Sequence, residues 1–209
     1  MIAALWLYFI LLVGIIVVPG MDMMFVLANA LAGGRAAGLA ATAGIVLGGM
    51  VHTVTGTVFV VALANLVPAI GQTMIVAGSL YMMWIGLTLA RSRIEVRAVD
   101  AKTGGLPLQT LVQGFIVCLL NPKAWMFILS VYPQFMRTEN GPIWIQAVIM
   151  GIMTSVVQVT VYGGLALAAL RGRDALVHNP QTTVWIGRGA GLLLIALAAY
   201  ALYRSVGPD

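Results

Sequence analysis

The feature that most constrains this chain is a succession of apolar stretches too long and too continuous for a soluble core. They run roughly over 4–31, 39–65, 68–90, 108–135, 143–170 and 184–204, and the segments between them hold most of the charge. A helix needs about 20 apolar residues to cross the hydrocarbon layer of a bilayer, so each stretch is long enough for one crossing. Only 8% of the residues are charged and 61% are hydrophobic, with a mean hydropathy of +1.03. A soluble domain carries about 25% charged residues, and a water-exposed surface cannot be built from so few. A membrane barrel would show short strands of alternating polarity; these runs are continuous and rich in Leu, Ala and Gly. Backbone groups in lipid must be satisfied internally, and a helix does that within one segment. The expected fold class is all-α integral membrane, with about six transmembrane helices forming a single domain over 1–209.

The formal charge is +5. The basic residues sit in loops beside apolar spans, where they set topology and meet anionic membrane lipids; no nucleic-acid partner is expected. A single cysteine, Cys118, excludes an internal disulfide and a CxxC redox pair, and reads as a small packing residue. Met1 to Val18 lacks the basic start and small-residue cleavage motif of a signal peptide, so it is read as the first span, retained.

If all six stretches span, the loops after spans one, three and five share a side. They hold Arg35, then Arg91, Arg93, Arg97 and Lys102, then Arg171, Arg173 and Arg188, eight basic residues against Arg137 and Arg204 on the other side. The positive-inside rule then makes the basic loops cytoplasmic and puts both termini outside.

The two halves resemble each other. The first and fourth stretches are interrupted, at Pro19-Gly20 and at Asn121-Pro122, and the two prolines lie 103 residues apart. Gly44, Gly48, His52 and Gly56 share a helix face; the same offset leads to Ala147, Gly151, Ser155 and Val159, three of them small. GSLYMMWIGLTLAR in the third stretch parallels GLLLIALAAYALYR in the sixth. Three spans per half is odd, so the halves insert in opposite directions. The expected arrangement is two inverted three-helix repeats, with helices 1 and 4 broken. Repeat one covers 1–97 and repeat two 106–209, joined by a cytoplasmic loop over 91–105. Inverted repeats with paired broken helices mark secondary transporters, whose sites lie near the midplane.

The candidate site gathers at the breaks. Pro19 removes a helix hydrogen bond and Gly20 loosens the backbone. Asp22 follows, and a carboxylate at a membrane-helix centre costs about 2.5–3.5 kcal/mol. It is either functional or, nearer the surface, a helix cap. Asn121, Pro122 and Lys123 are the counterpart. Asp22 and Lys123 are expected to meet, as an ion pair made and broken during transport, as one that gives way to a zwitterionic substrate such as an amino acid, or as a static pair. Asn29 lies two turns beyond Asp22. His52 is a proton relay or a neutral packing residue. Thr53, Thr55, Thr57, Thr154, Ser155, Gln158 and Thr160 bridge helices or line a path. The glycine faces suit close helix contact, and left exposed they would permit a homodimer. Trp6, Tyr8, Trp84, Tyr132, Trp144, Trp185 and Tyr200 read as interfacial anchors. No Walker motif, HExxH, Cys/His or carboxylate cluster, or GxSxG elbow is present; no cofactor or metal is expected, and the chain does not read as an enzyme.

VVPGMDMMFVLANALAGGRAAGLAATAGIVLGG, LYMMWIGLTLAR and GFIVCLLNPKAWMFILSVYPQF resemble, in that order, the N-terminal signature, third-span ending and fourth-span motif of the LysE/RhtB family of amino-acid exporters. The signature is usually Pro-Gly-Pro-(Asp/Asn), a helix, then Gly-x-Arg-x-Gly; Gly33 or Gly34, Arg35 and Gly38 fit the second element, while Met21 stands where the second proline is usual. The resemblance implies secondary export of amino acids or related metabolites across a bacterial inner membrane, commonly by proton antiport. It implies a small-molecule substrate bound at Pro19, Gly20, Asp22, Asn121, Pro122 and Lys123. A passive facilitator, or a carrier of metals or other solutes from the same superfamily, is the alternative. The residues do not name the substrate.

Overall fold

The computed structural model describes residues 2–66 and 107–168, with scattered helical positions between 76 and 91 and between 184 and 203. The third and sixth apolar stretches are therefore described only at isolated positions. The basic segments 92–105 and 171–183, and with them most of the charge asymmetry and the GSLYMM/GLLLIA parallel, lie outside the described residues. Helix α1 is Ile2–Val17, α2 Met21–Leu66, α3 Pro107–Leu119 and α4 Pro122–Phe135; a 3-10 turn at Thr138–Asn140 follows. Helix α5, Ile143–Gln158, continues through a π-helical turn at Val159–Gly163 into α6, Gly164–Leu167. Among the described residues every regular element is helical.

Two of these stretches, Met21–Ala62 and Ile143–Leu167, are long and apolar enough to cross a membrane, and α3 with α4 qualifies as a pair bent by 53°. Helix α1, at 16 residues, reaches about 24 Å, short of the ~30 Å hydrocarbon layer. The exterior is apolar: Trp144, Val148, Ile152 and Val156 form an exposed stripe along α5. The opposite face of that helix buries Gln146, Met150, Thr154 and Gln158. Both faces recur at i+4, the helical repeat. Polar residues inside and apolar residues outside invert the soluble pattern and suit lipid surroundings.

Helix α2 reverses direction at Gly34, whose φ of 74° and ψ of −171° are non-helical. That region is essentially closed to other residues. A Cβ on Gly38 would lie 2.6 Å from the Cβ of Ala30, whereas eight residues of straight helix span about 12 Å. The segments before and after Gly34 therefore fold back on each other as a hairpin. The expected loop between stretches one and two is thus a one-residue turn.

The second limb of α2 packs on α3 and α4 through the glycine face. A Cβ on Gly44 would collide with the backbone of Leu111, one on Gly48 would lie 2.6 Å from the Cβ of Cys118, and one on Gly56 would collide with Ile128. Gly114 returns the contact, its Cβ position 2.6 Å from the Ala41 carbonyl. Helices approach this closely only where side chains are absent. The ladder is the close helix contact expected of it, and its glycines are taken up within the chain.

Two aromatic assignments are also corrected. Tyr8 and Tyr132 are fully buried, not interfacial. Their rings meet at 6.2 Å in an edge contact. The Tyr8 hydroxyl pairs with Thr154 at 2.8 Å and the Tyr132 hydroxyl with Thr53 at 3.0 Å. Both phenols sit in the centre because each finds a threonine hydroxyl there. Thr55, Thr57, Ser155 and Thr160 instead bond the carbonyl one turn back on their own helix and, among the described residues, bridge no two helices. Trp6, Trp84, Trp144, Trp185 and Tyr200 are exposed, as anchors should be.

Candidate functional site

Each proline creates one orphan carbonyl, and the structure supplies a basic side chain to each. In an unbroken helix the Ile15 carbonyl would accept from residue 19, but Pro19 has no N–H. Lys123 Nζ donates to Ile15 O at 3.0 Å instead, and to Val18 O at 3.0 Å. The neighbouring Ile16 carbonyl takes the Tyr162 hydroxyl at 3.4 Å. The same reasoning applies to Cys118, whose i+4 partner is Pro122. His52 Nε2 lies 2.9 Å from Cys118 O, and the Asn121 backbone N–H also donates to that oxygen. Trp125 Nε1 satisfies the Leu119 carbonyl at 2.7 Å. Asn121 caps α4, its Oδ1 accepting from the Lys123 amide at 3.0 Å, with Pro122 at the first helical position, where no N–H is missed.

These caps bring the two breaks together. A Cβ on Gly20 would lie 3.0 Å from Lys123 Nζ, so the lysine side chain packs directly against the first break. The Asp22 carboxyl has Lys123, Asn121 and His52 as its polar neighbours. Among the described residues, however, Asp22 and Lys123 make no salt bridge; the ammonium is engaged by the two carbonyls. The expected direct ion pair is therefore replaced by a shared cavity. No hydrogen bond of ordinary length joins Asp22 to Asn121 either: Asp22 Oδ1 and Asn121 Nδ2 are both buried and unpartnered.

The cavity lies between α1, both limbs of α2, α4 and α5. Its polar lining is Asp22, His52, Lys123, Thr154, Gln158 and Tyr162, and its apolar wall includes Leu12, Ile15, Ile16, Phe127 and Ile128. Its volume is about 50 Å³, room for roughly three to five waters and well below the ~300–1,000 Å³ of small-molecule pockets. This conformation is contracted around the site, and a larger molecule enters only if the walls separate.

His52 carries a definite tautomer. A carbonyl only accepts, so Nε2 bears a hydrogen, and in the neutral ring Nδ1 carries the lone pair. The ring stands edge-on to Trp125 at 4.6 Å, and Trp125 is itself tied to Leu119. His52 Nδ1, Asp22 Oδ1 and Gln158 Oε1 are buried without hydrogen-bond partners, and all three residues line the cavity.

Of the residues expected from sequence, Asp22, His52 and Lys123 share this cavity, with Gly20 and Asn121 against its lysine or its carboxylate. Pro19 and Pro122 create the orphan carbonyls. Asn29 does not join them: its Nδ2 donates to Phe25 O at 2.8 Å one turn back, and it is absent from the cavity wall. Tyr162 and Trp125 are not among the residues the sequence singled out, and Gln158 stood among those expected to bridge helices or line a path; it lines the cavity. The spacing 154, 158, 162, one face of a helix, was the available signal for α5.

The sequence profile of the LysE type translocator family matches residues 13–205. The chain belongs to this family. It is a multi-pass membrane transporter and not an enzyme. It is 27% identical over 190 residues to an uncharacterized membrane protein of Vibrio cholerae, covering 87% of this chain and 91% of that one. It is 31% identical over 132 residues to a leucine efflux protein of Enterobacter, 62% of each chain. A leucine efflux protein of Klebsiella pneumoniae is 28% identical over 129 residues, 61% of each. The chain thus spans less than two thirds of the length of those two efflux proteins. No solved structure matches.

Proposed function

We propose that this translocator is a secondary active exporter of amino acids, with aliphatic neutral ones such as leucine among its substrates, driven by the proton gradient. The observation that carries the reading is one contracted cavity, walled by aliphatic and aromatic side chains, that holds both a carboxylate, Asp22, and an ammonium, Lys123. A zwitterion offers each of them an opposite charge, and the wall suits a hydrocarbon side chain. The leucine efflux relatives support the same substrate class.

The proposed architecture is two inverted repeats of three helices, with the broken first and fourth spans meeting at the site and the halves rocking around it. Supporting it, Lys123 caps Ile15 as His52 caps Cys118, and these carbonyls are separated by the same 103 residues as the prolines. The basic loops are assigned to the cytoplasm and both termini to the outside of the inner membrane. Proton movement is proposed to couple through Asp22 and His52, which line the same cavity.

The test uses purified protein in liposomes loaded with labelled leucine. Uphill leucine movement that follows an imposed pH gradient and collapses with a protonophore supports the exporter. Flux of equal rate with and without the gradient would make the protein a passive facilitator.

A further inference from the structure

We propose that Asp22 Oδ1, His52 Nδ1 and Gln158 Oε1 form a three-acceptor pocket for a primary ammonium, with Gln158 its specificity-determining member. The proposal rests on the amino-acid reading of the same cavity and adds which end of the substrate goes where. The three residues are 4%, 2% and 6% exposed, and all line one cavity. They come from the start of α2, its second limb and α5. Each carries a buried acceptor without a hydrogen bond in this conformation, the nearest side-chain donor to Asp22 being Asn121. Buried polar groups are nearly always paired in folded proteins, so three unpaired acceptors around one space take their donors from what fills it: water in the free cavity, and a ligand that displaces that water when it binds.

A primary ammonium has three N–H donors and no acceptor, which matches the count. One water brings two donors, so several waters are needed where one ammonium delivers three donors from a single atom. Among the described residues no cluster of His, Cys and carboxylate suits a metal ion. Asn121 Nδ2, the one buried unpartnered donor beside Asp22, and Lys123 are left for the carboxylate of the same molecule.

Gln158 reaches this position because of its neighbours. A Cβ on Gly49 would lie 2.6 Å from its Oε1 and 3.0 Å from its Nε2, so the amide rests on a bare backbone one turn from His52. The π-turn begins immediately after it, a distortion that recurs at functional sites. Through that turn Thr154, Gln158 and Tyr162 all still face the cavity.

The test begins with the unmodified protein in detergent, reading thermal stabilisation by leucine, N-methylleucine, N,N-dimethylleucine, isopentylamine and 4-methylpentanoate. Each N–H replaced by methyl is expected to weaken apparent affinity roughly tenfold or more. Isopentylamine, which keeps the ammonium and lacks the carboxylate, is expected to stabilise measurably, and 4-methylpentanoate not. Gln158→Met, near in shape but without a strong acceptor, should keep the ligand-free melting temperature and lose the preference for leucine over N-methylleucine. Gln158→Glu should retain it. Equal stabilisation by leucine and N,N-dimethylleucine overturns the pocket, as does a Gln158→Met protein that discriminates as before. If isopentylamine stabilises through Gln158 while liposomes export no amino acid, the pocket stands and the exporter reading falls.

Discussion

Neighbouring glycines on the second limb of α2 separate folding from transport. Gly49→Ala puts a methyl 2.6 Å from Gln158 Oε1, and ordinary contact begins at about 3.4 Å. The amide is the far end of a flexible side chain and can withdraw by the missing ~0.8 Å. Folding then balances two small terms: alanine is about 1 kcal/mol better than glycine inside a helix, and a strained glutamine rotamer costs about 0.5–1.5 kcal/mol. Stability should change by less than about 1 kcal/mol. The same ~0.8 Å stretches a ~2.9 Å hydrogen bond beyond useful length. A lost bond to an ammonium is worth about 1.5–3 kcal/mol, which is roughly 10- to 150-fold in apparent affinity. Gly44→Ala is the contrast, because its methyl meets the backbone of Leu111 and Phe115, which cannot swing aside. Overpacking of this kind costs about 1–3 kcal/mol or more. The assay pairs tryptophan-monitored melting in detergent with leucine KM in liposomes. Gly49→Ala should melt near the parent and show a KM raised at least tenfold; Gly44→Ala should melt lower. A Gly49→Ala protein that folds normally and transports leucine with unchanged KM would refute the reasoning.

Gly34→Ala should destabilise by about 1–3 kcal/mol, although a Cβ there meets nothing within 4 Å; unchanged melting would show that the hairpin does not need this φ. Asp22→Asn should abolish gradient-driven leucine efflux at normal membrane abundance, checked by immunoblot beside the flux. The exchange Asp22→Lys with Lys123→Asp should fail to recover a stable protein, because a carboxylate at 123 would face the Ile15 and Val18 carbonyls that the ammonium now caps; normal yield and melting would argue for a simple ion pair. Tyr8→Phe should lose about 1 kcal/mol from the buried bond to Thr154, read as a lowered melting temperature with leucine KM held.

The membrane character was legible in the sequence because it depends on composition: so few charges and such long apolar runs leave no other solvent. The breaks were legible because proline acts through its own missing N–H, and Asp22, His52 and Lys123 stood out as ionisable groups in apolar surroundings. Each of these is a property of a residue and its near neighbours.

What only the tertiary structure decided are the pairings. That Lys123 serves Ile15 and Val18 rather than Asp22, and that His52 serves Cys118, depends on contacts across 108, 105 and 66 residues. No local rule says which distant donor reaches an orphan carbonyl. Tyr8 and Tyr132 read as surface anchors until Thr154 and Thr53 are found beside them, and the glycine ladder reads as a contact face whose partner, α3, only the packing identifies. Gln158 joins the site because Gly49 leaves it space and its unpaired oxygen meets no protein donor. Apolar periodicity places a helix in the membrane, but a buried polar group is defined by its partners, and those are chosen when the helices pack.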